Sequence, residues 1–368
     1  MINGPRNTKN YKASNKFYPL SKKLEISIAE ALPGMVIAET LTNLYGGVIV
    51  YSDTIVNKRL IDKLSCLGFS KILIYDMNTT EIEVNQNYFS SSYNEGKLLV
   101  KDMIKDVGDG KPVDLKKLRA VSTLLLDQID NNRAVIETIG QVRQSNEYTY
   151  THCLNVALLS SMLGRWLGFE EIKVRLLTYT GLLHDIGKAK ISNTILDKPG
   201  PLTAAEFEIM KTHPVLGYKL IEKVPSINPN VALGVLMHHE REDGSGYPFG
   251  AKGNQIAEFG KIIALTDIYD AMTSERSYKP RQSPFEVFEM FENHSFGVLD
   301  LKYSRVLLTN IANYYVGDLV RLNTNQIGEI IYINPHHISK PLIRIDSTYV
   351  DLYFESQIKI IELIKEYG

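Results

Sequence analysis

Polar residues dominate the first 24 positions and no apolar period emerges there, so residues 1–24 read as a flexible tail. Apolar stretches begin at Ile26. Met35–Ala38 and Gly47–Tyr51 read as short strands after a Pro33-Gly34 turn. Asn57 can cap a helix running to Leu67, with Gly68 just past its end, and Lys71–Tyr75 reads as a further strand. Residues 25–84 thus predict a small α+β module with no catalytic cluster, suited to regulation or packing. Residues 85–112 predict a helical linker closing at Gly108, Gly110 and Pro112. From residue 113 to 314 the texture is helical. Leu115, Leu118, Val121, Leu125 and Ile129 recur every three to four positions, and Asn155–Leu167 and Val174–Leu183 repeat that pattern. Strand signals nearly vanish, and Pro199-Gly200-Pro201 and Asp243-Gly244-Ser245-Gly246 interrupt the helices. Beyond Tyr315, Leu319–Leu322, Ile327–Ile333 and Leu342–Ile345 alternate or run apolar between turns at Asn323-Thr324-Asn325 and Asn334-Pro335. Residues 315–368 therefore predict a β-rich appendage, with a last strand or short helix at Ile358–Ile364. The expected fold is mainly α: an all-helical bundle core flanked by a small N-terminal α+β module and a small C-terminal β-rich appendage.

Composition narrows the class. With 44% hydrophobic and 23% charged residues, the 368-residue chain is balanced for burial rather than disorder. A net charge of -1 argues against a DNA-binding role for the whole chain and leaves room for a local basic pocket. The N-terminal cations Arg6, Lys9, Lys12, Lys16, Lys22 and Lys23 precede no apolar signal core and read as a solvated tail. Two cysteines, Cys66 and Cys153, provide neither a disulfide framework nor a thiolate zinc site, and fit a reducing compartment. No apolar run approaches the roughly 20 residues of a membrane span, so a cytoplasmic protein is expected.

The candidate chemistry lies in the helical middle, where five of the eight histidines fall between His152 and His239. A single histidine on an apolar helix is usually a satisfied core residue. Here the helical stretch Leu176–Leu183 runs straight into His184-Asp185, and burying Asp185 unpaired would cost several kcal/mol. Neighbours on a helix point about 100° apart, so one imidazole and one carboxylate can reach one ion from two sides, or the carboxylate can bridge two. Gly187 permits close backbone approach or a helix break, and Lys188 can offer a cation to a phosphate. Asp267 repeats the pattern of an acid ending an apolar helical run, Ile262–Thr266. Imidazoles with carboxylates and no thiolate suit catalytic Fe, Mn or Zn better than structural zinc. Helix caps and buried polar pairs are the plainer alternative.

His184-Asp185-Ile186-Gly187-Lys188 resembles the HD phosphohydrolase signature, and His238-His239-Glu240-Arg241-Glu242-Asp243-Gly244-Ser245-Gly246-Tyr247-Pro248 resembles the second signature of the HD-GYP family. Leu196–Thr203, Met210–Pro214 and Asp267–Lys279 fit that family in order and spacing, over about residues 148–300. The resemblance implies an HD-type bundle holding two divalent ions. Fe or Mn are favoured, with Zn, Mg, Ni and Co as alternatives. His152, His184, Asp185 and Asp267 would form one site, and Asp185 would bridge to a second held by His213, His238 and His239. It also implies catalytic roles for Asp185 and Lys188, with Lys188, Arg276, Lys279 and Tyr247 at the substrate. Some members recruit a third metal through a glutamate one turn before the first histidine; Tyr148 stands there, so two ions are expected. Glu242 replaces an aromatic residue of many relatives and is expected to alter pocket polarity. Leu32-Pro33-Gly34-Met35 and Tyr315–Asn323 resemble flanking modules found in some related proteins.

The implied activity is metal-dependent hydrolysis of cyclic di-GMP to pGpG, with onward cleavage to GMP as an extension, by a hydroxide bridging the two ions in bacterial second-messenger signalling. Its rivals are a non-catalytic cyclic-dinucleotide receptor and a hydrolase of another cyclic dinucleotide such as cyclic GMP-AMP. Implied partners are the dinucleotide, a second copy of the chain, and a diguanylate cyclase or other signalling protein docking on Gly246-Tyr247-Pro248; DNA and membrane are not expected.

Overall fold

The computed structural model of the chain describes residues 23–364, except 33–34, 43–47, 51, 53, 55, 57, 76–78, 128, 130–134, 137–138, 140–147, 274–282 and 295–296, and excludes the side chains of residues 48, 58–59, 79–90, 148 and 294. The tail through residue 22, the Pro33-Gly34 turn, the Asn57 cap, the Tyr148 side chain, Arg276 and Lys279 lie outside the described residues.

The chain forms two compact units, Met1–Val84 and Asn85–Gly368. In the first, β1 (Lys23–Ser27) pairs antiparallel with β4 (Lys71–Tyr75), and β2 (Leu41–Thr42) with β3 (Val48–Val50). Helix α1 (Lys58–Cys66) adds Leu64 to a core of Ile26, Ile28, Ile37, Val50, Val56, Ile72 and Ile74.

The helix expected over the linker is longer than its apolar pattern suggested: α2 spans Thr79–Gly108. There follow α3 (Leu115–Leu126), α4 (Tyr148–Trp166), α5 (Glu171–Leu183), α6 (Asn193–Leu196), α7 (Ala204–Met210), α8 (His213–Ile221), α9 (Pro229–Met237), α10 (Glu258–Thr273), α11 (Pro284–His294) and α12 (Leu301–Asn313). Several of their starts are written in short polar side chains that accept from otherwise orphaned amides. Asp114 accepts from Lys116 N at 2.8 Å, Asn228 from Asn230 N at 2.9 Å, and Asp300 from Lys302 N at 3.0 Å. Thr203 and Glu206 cap α7 reciprocally.

The site rests on a tight crossing of α4 and α5. A Cβ on Gly181 would meet the Ala157 Cα at 2.5 Å, so the two backbones nearly touch. Ser161 and Thr178 hydroxyls bridge the helices at 2.8 Å, and Ser160 bridges to Thr266 on α10, also at 2.8 Å. Every one of these polar groups is buried and partnered, which fixes helix rotation as well as distance.

Strands β5 (Leu319–Leu322), β6 (Ile327–Asn334), β7 (His337–Ile345), β8 (Thr348–Asp351) and β9 (Ile360–Ile364) form one antiparallel sheet in the order β8-β7-β6-β5-β9. The last element is thus a strand. Its inward residues Val320, Leu322, Ile330, Ile343 and Ile360 continue the apolar core of the helices. Among the described residues no helix is long and apolar enough to cross a membrane.

Candidate metal centre

His184 is the residue that ends α5, and the chain does not carry Asp185 on that helix as its apolar run suggested. Asp185 sits at φ -99°, ψ 6°, and a 3-10 turn, Ile186–Lys190, follows. The turn is possible because residue 187 is glycine: a Cβ there would lie 2.0 Å from the His213 carbonyl oxygen and 2.6 Å from Gly217 N. The HD turn is therefore packed directly on the start of α8, and His213 is brought in with it. His238 ends α9 as His184 ends α5. Both rings sit at helix C-termini, where the aligned peptide dipoles favour a cation. His152 comes from α4, and Asp267 and Asp270, three residues apart, share one face of α10.

These side chains converge. His152 Nε2 lies 3.1 Å from Asp267 Oδ1, 3.3 Å from His184 Nε2 and 3.8 Å from Asp185 Oδ2. Asp185 Oδ2 lies 3.3 Å from His184 Nε2, and Oδ1 lies 3.3 Å from His213 Nε2. His213 Nε2 is 3.3 Å from His238 Nε2, and the His213 and His239 ring centres are 5.0 Å apart. Two groups of potential ligand atoms share Asp185: His152, His184 and Asp185, and Asp185, His213, His238 and His239, each within 4.8 Å. Asp267 joins the first through His152.

Tautomers make the centre specific. His184 Nδ1 donates to Gly181 O at 2.8 Å, His213 Nδ1 to Met210 O at 2.8 Å and His238 Nδ1 to Val235 O at 2.6 Å. A carbonyl only accepts, so in each neutral ring the proton is on Nδ1 and Nε2 presents a lone pair. The His213 and His238 lone pairs then face each other, and both His184 and His213 face carboxylate oxygens. Asp185 Oδ1 is buried without a hydrogen-bond partner. Acceptors facing acceptors in a buried pocket need a cation between them, and nitrogen with carboxylate oxygen is a donor set for a divalent metal. The residues present fit that group.

The electrostatics agree. Burial pushes the His239 ring down to about 3 and holds His238 well below its ordinary value, so both stay neutral and ready to ligate. Burial acts to raise the Asp185 carboxyl, but the Lys188 ammonium, 2.6 Å from Oδ2, helps hold it well below the usual range. Burial disfavours charge on His152, yet Asp267 and Asp270 on either side overcome it and raise its pKa well above the ordinary value. With its pKa raised in that direction, His152 in the metal-free protein is expected to hold a proton at neutral pH that a metal must displace. Filling that site at pH 7 is expected to release about one proton from His152, with affinity rising as pH rises toward its folded-state pKa. His238 and His239 contribute none. Calorimetric Mn²⁺ titration in buffers of different ionisation heat measures the released proton; identical apparent heats would contradict the assignment.

Around the candidate ligands lie Asp270 and Arg241, and the Glu240 carboxylate, to which the motifs assigned no role. His152 Nδ1 donates to Asp270 Oδ2 at 2.7 Å, the carboxylate–imidazole pairing that orients a metal-binding ring. The buried Glu240 carboxylate accepts from Phe249 N at 2.8 Å and Ala251 N at 2.9 Å, stapling the loop that follows α9. Arg241 Nη1 donates to Glu240 O at 2.9 Å and His238 O at 3.3 Å. Gly246 packs on this backbone so closely that a Cβ would meet His239 O at 2.4 Å. Tyr247 then stacks on His239, with ring centres 4.6 Å apart and planes 27° from parallel. The loop thus braces a candidate ligand, His239, through Tyr247. Glu242 lies 2.8 Å from Lys261 Nζ, so its charge is neutralised there and the expected change in pocket polarity is not what this side chain provides.

Residues 131–300 match the family model of the HD domain. The chain is 32% identical over 253 residues to the cyclic di-GMP phosphodiesterase PA4108 of Pseudomonas aeruginosa, covering 68% of this chain and 60% of that protein. It is 39% identical over 165 residues to a cyclic di-GMP phosphodiesterase of Thermotoga maritima, covering 44% of each, and 31% identical over 167 residues to 3′3′-cGAMP-specific phosphodiesterase 3 of Vibrio cholerae, covering 45% of this chain and 36% of that one. The chain spans between about a third and three-fifths of the length of these relatives. The helical segment is an HD domain. Its His184-Asp185 turn and its His238–Pro248 loop place it in the HD-GYP family.

Proposed function

We propose that the protein is a metal-dependent phosphodiesterase that opens cyclic di-GMP to pGpG. One observation carries this reading: seven side chains from five parts of the bundle meet around the buried, unpartnered Asp185 Oδ1, with imidazole lone pairs directed at one another. The relatives named for cyclic di-GMP hydrolysis supply the substrate. Two divalent ions held there would neutralise phosphodiester charge and activate water. Fe or Mn suit the thiolate-free ligands and ready supply in a reducing compartment.

The chain's own residues divide the remaining work. Asp185 presents one oxygen to each ligand group. His238 and His239 stay neutral, so they add no charge that would repel an ion. Lys188 holds its proton, since Asp185 raises its pKa against burial, and its partly exposed ammonium can stabilise the phosphate or protonate the leaving 3′ oxygen. Water adds to phosphorus, the P–O3′ bond breaks, and the 3′ oxygen takes a proton, leaving a 5′-phosphate on the linear dinucleotide. Burial keeps the Tyr247 hydroxyl protonated beside the site, where it can donate to the substrate. Arg276 and Lys279 are assigned to the distal phosphate by resemblance.

The test is chromatography of products from cyclic di-GMP and 3′3′-cGAMP with Mn²⁺- or Fe²⁺-loaded protein under anaerobic conditions. Accumulation of pGpG supports the reading; preferred cleavage of 3′3′-cGAMP shifts the substrate, and tight binding without turnover makes the protein a receptor. Replacing Lys188 with Met is expected to lower kcat roughly 100-fold or more, as loss of a positioned proton donor does, with KM changing less. A kcat within a factor of two of wild type removes Lys188 from the chemistry.

A further inference from the structure

We infer that Tyr93, on α2, is a positioning residue for the cation site around His152, acting through Asn155 and Asp270. The inference rests on the reading that the cluster holds metal. Tyr93 Oη donates to Asn155 Oδ1 at 2.6 Å; Asn155 Nδ2 donates to Asp270 Oδ1 at 2.8 Å; and Asp270 Oδ2 accepts from His152 Nδ1 at 2.7 Å. The whole chain of bonds is buried, with Tyr93 2% exposed and Asp270 fully enclosed. It runs through an apolar core that includes Val121 and Leu154.

The order of donors explains why a tyrosine belongs there. An amide has two nearly isosteric ends, and Asn155 could in principle present either one to Asp270. Only the NH₂ end satisfies a carboxylate; the oxygen would face another acceptor in a medium that screens poorly. Tyr93 decides between them by donating to the amide oxygen, which commits the NH₂ end to Asp270. Burial keeps the phenol protonated and hence a donor. With Oδ1 satisfied by Asn155, Asp270 turns Oδ2 to His152 Nδ1. That bond fixes both the tautomer and the rotation of the ring whose Nε2 faces Asp267 and His184. Tyr93 lies before residues 131–300, so one determinant of the metal site is supplied from outside the segment matched by the HD-domain model.

Tyr93→Phe removes one hydroxyl and keeps the ring in place; Asn155→Leu removes the donor to Asp270. The probe is Co²⁺, titrated anaerobically into the metal-free full chain and followed by visible absorption. Wild type is expected to take two equivalents. Tyr93→Phe should weaken one of them roughly tenfold, the low end for loss of a partner behind a ligand, and Asn155→Leu should weaken the same one further. The equivalent held by His213, His238 and His239 should be unchanged, and Tyr93→Phe should add nothing to Asn155→Leu. Wild-type affinity for both ions in both variants overturns the inference, and so does equal weakening of both ions, which is what a general loosening of the core would give. Failure of the wild type to bind Co²⁺ instead overturns the metal reading, and this inference with it.

Discussion

Replacing Asp185 with Asn is expected to empty both cation positions at once and to lower hydrolysis of cyclic di-GMP by roughly a thousandfold or more. The change keeps the shape of the side chain and removes its charge. Only one oxygen survives: if it stays at the Oδ2 position to accept from Lys188 at 2.6 Å, an NH₂ group takes the buried Oδ1 position, and in either orientation the anionic bridge is gone. Each ion contributes several kcal/mol to stabilising transition-state charge, and about 1.4 kcal/mol corresponds to tenfold in rate, so losing the shared ligand accounts for that size. Among the described residues, no other belongs to both candidate ligand groups. Substituting His239 should therefore cost one ion, and Asp185→Asn two. Metal content of the two purified variants separates these outcomes; an Asp185→Asn protein that retains one equivalent would show that the sites are held independently.

Gly187→Ala should be the most disruptive single methyl group in the HD turn. The added Cβ would lie 2.0 Å from His213 O and 2.6 Å from Gly217 N, both backbone atoms of α8 that have no rotamer to give way. Overpacking of a rigid core typically costs about 1–3 kcal/mol, and a clash with backbone at this separation belongs at or above the upper end. The strain falls on the element that places His213, so the second cation should be lost before the first. Thermal unfolding and Co²⁺ titration of this variant check both statements. A protein as stable as wild type with two tight ions would mean that the turn and α8 are not packed as described.

His184, Asp185 and Asp267 were legible because their chemistry is local: each follows directly on an apolar run, whereas His152, His213, His238 and His239 were assigned through the family resemblance. The 3-10 turn at Ile186–Lys190 was less so. An apolar helix entering His184-Asp185 looks continuous in sequence, and what stops it is the contact of Gly187 with α8, a partner 26 residues away. Asp270 could have been noticed as an acid three residues after Asp267. Its tie to His152, and those of Asn155 and Tyr93 behind it, depend on three helices meeting, and no period in one segment records that. Glu242 looked like a change in the pocket because sequence does not show Lys261 waiting beside it. At the C-terminal end β8 escaped notice. It is four residues long, lies at the sheet edge and buries little, so it lacks the apolar alternation that marked its neighbours.

The central claim is that one carboxylate joins two cations inside the helical bundle. Anomalous diffraction from crystals of the Mn²⁺-loaded protein tests it directly. The expected result is two peaks about 3.5–4 Å apart, one beside His152, His184 and Asp267, the other beside His213, His238 and His239, with Asp185 touching both. A single peak, or peaks away from Asp185, would contradict it.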